Sequence, residues 1–110
     1  MEKSTVGSLT VITGCMFAGK TTELINRYHQ VKEDVIAFKP VIDNRYSQSE
    51  IVSHKGKKIM ATRIKNFTEI NNYSQSNIFI DEIHFFQEDI VFYLNQLAKA
   101  GKKITVAGLS

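Results

Sequence analysis

Hydrophobic residues along this chain fall into short runs separated by helical stripes. Leu9-Thr10-Val11-Ile12-Thr13 is a β-prone run ending at Gly14, and its composition predicts a buried strand over 8–13. After Lys20 the spacing changes. Leu24, Ile25, Tyr28 and Val31 share one face of a helix predicted over 20–32. A second strand is predicted over 34–39, with a break at Pro40. Glu50 to Ser53 and Lys57 to Ala61 read as a hairpin turning at His54-Lys55-Gly56. Ile64, Phe67 and Ile70 suggest a short helix, and Asn77-Ile78-Phe79-Ile80 a buried strand. Ile90, Val91, Leu94, Leu97 and Ala98 mark a helix that stops at Gly101, with Lys99 in its last turn. Lys103 to Leu109 is a final strand. Strands alternating with helices predict an α/β fold with a mostly parallel sheet covered on both faces.

The first connection carries the chemistry. Gly14-Cys15-Met16-Phe17-Ala18-Gly19-Lys20-Thr21 fits G-x-x-x-x-G-K-[ST], a loop that cradles nucleotide phosphates. Its glycines let consecutive N–H groups converge on one anion. Lys20 can reach the outer phosphates, and the Thr21 hydroxyl can ligate the accompanying magnesium. The following helix adds the positive end of its dipole. Strand, loop and helix stand in the order this mechanism requires.

A second set of candidates follows the strand ending at Ile80. In a phosphate-loop fold this strand is expected beside the first one. Asp81 would then approach the magnesium, directly or through water, while Glu82, pointing elsewhere by strand alternation, orients or deprotonates the nucleophile. Asp43-Asn44-Arg45-Tyr46 lies past the second strand, at the carboxyl edge where such sheets bind ligands. Arg45 there either neutralises charge on a transferring phosphoryl group or closes a turn with a surface salt bridge; the residue types favour neither.

Composition narrows the classes. At 110 residues the chain is one domain with a modest core. A net charge of +3 suits an anionic ligand, but lysines 55, 57, 58, 102 and 103 lack the interleaved aromatic residues of a nucleic-acid track, so no nucleic-acid partner is expected. Cys15 is the only cysteine, which excludes an internal disulfide and a multi-cysteine zinc site within this chain and fits a reducing cytoplasm. His29, His54 and His84 have no ligand spacing. No stretch approaches membrane-spanning length.

Taken together, several segments resemble the thymidine kinases of vertebrate cytosol, many bacteria and poxviruses. They are Gly14 to Leu24, Phe38 to Ser47, Val52-Ser53-His54, Ile80-Asp81-Glu82 with Phe85-Phe86, and Val106 to Leu109. The resemblance runs from about Gly7 to the end of the chain. It implies ATP-dependent phosphoryl transfer to the 5′-hydroxyl of thymidine or deoxyuridine, with ATP and Mg2+ as cofactors. Gly14, Cys15, Met16, Phe17, Ala18, Gly19, Lys20, Thr21 and Thr22 would bind nucleotide, with Asp43 assisting. Thr21 and Asp81 would serve the metal, Glu82 would be the general base, and Arg45 would act on the phosphoryl group. A cytoplasmic homo-oligomer, a tetramer, is also implied. Cys15 stands where Pro or Ser is common in the family, and His84 where Gln is usual. The family adds a cysteine-bound zinc and a lasso-like loop over the base. Residues 1–110 therefore predict an N-terminal ATP-binding portion, a fragment or truncated product that binds nucleotide, self-associates and turns over poorly alone. The rival expectations are a nucleotide-binding module without turnover and another phosphate-loop kinase or ATPase.

Overall fold

A computed structural model describes residues 7–14, 19–41, 49–53, 55–86 and 89–108. Five strands form one parallel sheet in the order β1-β7-β6-β2-β5. They are β1 (Ser8–Ile12), β2 (Val35–Pro40), β5 (Thr62–Ile64), β6 (Asn77–Ile80) and β7 (Lys103–Ala107). An antiparallel hairpin pairs β3 (Glu50–Val52) with β4 (Lys58–Met60). The α/β class with a mostly parallel sheet is as expected.

Side-chain alternation divides the core between the two faces of the sheet. On one face, Phe38, Ile78, Ile80, Ile104 and Val106 pack under α2 (Ile90–Lys99) and the 3₁₀ turn Phe67–Asn72. On the other, Ala37, Phe79 and Ala107 meet Leu24 and Ile25 of α1 (Lys20–Gln30), with Ile51 and Ile59 of the hairpin closing the side. Tyr28 of α1 meets the Phe79 ring edge-on at 5.6 Å. Asp89 caps α2 by accepting from the Phe92 N–H at 3.2 Å. Among the described residues no helix is long and apolar enough to cross a membrane.

Several expectations change. Among the described residues the first run is an edge strand rather than a buried one: β1 pairs with β7, and Leu9 and Val11 remain 38% and 43% exposed. β6 does not lie beside β1, because β7 is inserted between them. Ile64 belongs to β5, not to a helix; it is buried opposite Pro40 of β2. The helical turn begins only at Phe67, where the Glu69 carboxylate accepts the Lys65 and Asn66 N–H groups, each at 2.8 Å. Pro40 is the last residue of β2 rather than the break that follows it. β6 has ended by then, at the Phe38–Ile80 pair, so no ladder donor toward β6 is needed. Val91 is 69% exposed, and Tyr93 packs against the core in its place.

Candidate functional site

The site forms at the carboxyl ends of the parallel strands. Gly14 follows β1, and Gly19 precedes α1 in the left-handed conformation at φ 83°. Among the described residues nothing lies within 4 Å of where a Gly19 Cβ would stand, and the left-handed backbone itself calls for glycine. The Gly19 carbonyl accepts the Glu23 N–H at 2.9 Å and starts the helix. Lys20, Thr21 and Thr22 thus occupy its first turn, while Leu24 and Ile25 anchor the helix on the sheet. Cys15, Met16, Phe17 and Ala18 of the loop, and Asp43 and Arg45, lie outside the described residues, as does His54.

Although β7 separates β1 from β6, α1 crosses over β7 and brings its first turn to the end of β6. There the Thr21 hydroxyl faces the Asp81 carboxylate, with Oγ1 3.4 Å from Oδ2. That is long for a hydroxyl–carboxylate hydrogen bond. It also exceeds the roughly 3 Å between adjacent oxygens around an octahedral magnesium ion, so a small approach of the two would let them share one ion. Among the described residues no group of three or more His, Cys, Asp or Glu could hold a metal ion. One carboxylate and one hydroxyl suit an ion that takes its remaining ligands from phosphate and water.

Asp81 is only 8% exposed. Burial pushes its carboxyl up from 3.8 to about 6, and repulsion by Glu82 adds to the rise. The Glu82 N–H, donated to Oδ1 at 2.9 Å, the Thr21 hydroxyl and the charge of Lys39 oppose it. Sequence reasoning missed Lys39. Its place next to Pro40, at the end of a strand bordering β6, was the available signal. The Lys39 ammonium donates to the Glu50 carbonyl at 2.7 Å and ties the hairpin to this edge of the sheet.

Because the folded carboxyl binds its proton more tightly than an unfolded one, Asp81 favours folding below about pH 4 and loses that contribution as pH rises through about 6. Asp81→Asn should therefore stabilise the metal-free chain at pH 7.5, on the order of 2 kcal/mol. The gain should shrink toward pH 4. Urea unfolding at the two pH values checks this; an equal effect at both would refute it.

Glu82 departs from the expected extended conformation. Its φ is 53°, so a left-handed turn, not strand alternation, sets its direction. Such a backbone costs a non-glycine residue about 1 kcal/mol or more and persists only where its surroundings hold it. The Glu82 carbonyl accepts the Phe85 N–H at 3.0 Å and opens the 3₁₀ turn Ile83–Phe85. Ile83 and Phe86 lock that turn into the core, and Phe86 meets Phe67 edge-on at 5.5 Å. His84 is exposed, and its ring lies tilted against that of Phe85 with centroids 4.4 Å apart.

Residues 7–110 match the family model described as thymidine kinase. The chain belongs to the thymidine kinase family. It is 41% identical over 120 aligned positions to a protein named thymidine kinase from Mesoplasma florum, covering 99% of this chain and 59% of that protein. It is 44% identical over 115 positions to one of the same name from Mycoplasma capricolum subsp. capricolum, covering 94% and 55%. The chain thus spans somewhat over half the length of these relatives.

Proposed function

We propose that this chain is the ATP-binding part of a kinase that transfers the γ-phosphoryl group of ATP to the 5′-hydroxyl of thymidine or deoxyuridine. The observation that carries the proposal is the meeting of Thr21 and Asp81 beside Glu82 in a member of this family. Gly14 to Thr22 bind the nucleotide, with Lys20 on its outer phosphates and Asp43 assisting. Thr21 and Asp81 would hold Mg2+, which when bound would neutralise phosphate charge. Glu82 takes the proton of the 5′-hydroxyl as that oxygen bonds to the γ-phosphorus. The bond from that phosphorus to the β–γ bridging oxygen breaks, and ADP leaves. Arg45 faces the charge on the phosphoryl group in transit. A homo-oligomer in the cytoplasm completes the proposal on family grounds.

The test is ADP formation by the purified full-length protein with and without thymidine. Release of ADP should depend on the nucleoside and on Mg2+. ADP formed at the same rate without nucleoside would make the protein an ATPase, and ATP binding with no ADP under any acceptor would make it a binding module.

A further inference from the structure

Gly108 follows β7, directly beside the turn that carries Glu82. β6 and β7 run parallel with Ile80 opposite Val106, so Glu82 and Gly108 leave the sheet side by side. Two unusual backbones meet there: Glu82 is left-handed at φ 53°, and Gly108 has φ 123°. A Cβ added to Gly108 would stand 2.8 Å from the Glu82 Cα, 2.9 Å from the Ile83 nitrogen and 2.9 Å from the His84 Nδ1. Two of these three atoms are backbone, which cannot swing aside as a side-chain tip can. The other side of the turn is pinned as well. Asp81 Oδ1 accepts the Glu82 N–H at 2.9 Å, and Ile83 is buried in the core. An added methyl at 108 would therefore displace the Glu82 turn.

We propose that Gly108 is a positioning residue for Glu82: its bare Cα is the surface against which the left-handed turn rests, and this contact aims the Glu82 carboxylate at the acceptor hydroxyl. The inference rests on Glu82 being the general base. A conformation so costly for glutamate is held by close packing from the neighbouring strand end, and Gly108 supplies it. Gly108 acts through Glu82 and touches no substrate. A misplacement of about 1 Å at a reacting group can cost about a hundredfold in rate.

The experiment is a double-mutant cycle in the full-length protein, with Gly108→Ala, Glu82→Gln and the pair. Gly108→Ala should lower kcat by roughly tenfold to a hundredfold while KM for ATP stays within about threefold. In the Glu82→Gln background the same change should cost less than about threefold, because no base remains to misplace. An equal loss in both backgrounds would make Gly108 merely structural and overturn the proposal. No effect of Glu82→Gln by itself would instead overturn the assignment of the base. If Gly108→Ala fails to fold, wild-type NMR decides. A nuclear Overhauser contact between the Gly108 Hα protons and the Ile83 amide proton supports the close approach, and its absence overturns it.

Discussion

Lys20→Ala is expected to weaken nucleotide binding about a hundredfold, the loss typical of removing one partner from a desolvated charge pair. Lys20 opens α1, where the helix dipole and the first-turn N–H groups already favour an anion. Those groups carry partial charges, and the ammonium is the only full positive charge that residues 14–21 place at the site. The variant should still fold. Alanine is a better helix former than lysine, and the buried Leu24 and Ile25 anchor the helix on the sheet. Lys20→Arg should recover little, because a planar fork does not replace a compact ammonium in a tight loop. Calorimetric titration with an ATP analogue, beside a circular dichroism spectrum, measures both properties. Unchanged affinity in a folded Lys20→Ala chain would remove the phosphate loop from the proposed function.

Much of this arrangement was legible in the residues, for identifiable reasons. The helices announced themselves through spacing: Leu24 and Ile25 in α1, Leu94 and Leu97 in α2, each pair fully or nearly buried. β6 and β7 are apolar runs flanked by polar residues, as strands buried on both faces must be. Short elements were less legible. β5 has three residues with Arg63 in the middle, and Ile64 alone of the three is buried, so no periodicity could separate it from the turn that follows. Strand order was not legible either. Whether β7 or β6 neighbours β1 depends on which face each connecting helix crosses, and the hydrophobic pattern is the same in both cases. Glu82 shows a further limit. Nothing in Ile80-Asp81-Glu82-Ile83 signals a left-handed glutamate, because the packing that enforces it comes from Gly108, 26 positions later, and from the burial of Ile83. The carboxylates were recognisable as chemistry; the geometry that aims them is tertiary.

Glu82→Gln is the substitution expected to cost catalysis most selectively. Glutamine matches the volume of glutamate and meets the same left-handed backbone, so the turn at Ile83–Phe85 and its packing on Phe67 should persist. The amide cannot accept the proton of an alcohol, and general base catalysis contributes about a hundredfold or more. Turnover should fall by at least that factor, while ATP affinity, which the proposed function assigns to the loop and to Thr21 with Asp81, should change less than about threefold. The split between kcat and nucleotide binding separates this role from that of its neighbour. Asp81→Asn removes the carboxylate proposed to hold the metal and should raise the Mg2+ concentration needed for activity; Glu82→Gln should leave it where it was. Steady-state kinetics across a Mg2+ series, with single-turnover measurements to isolate the chemical step, distinguishes them. A Glu82→Gln protein within a few-fold of wild-type kcat would assign the proton to another group. One whose defect is relieved by excess Mg2+ would place Glu82 with the metal rather than with the acceptor hydroxyl.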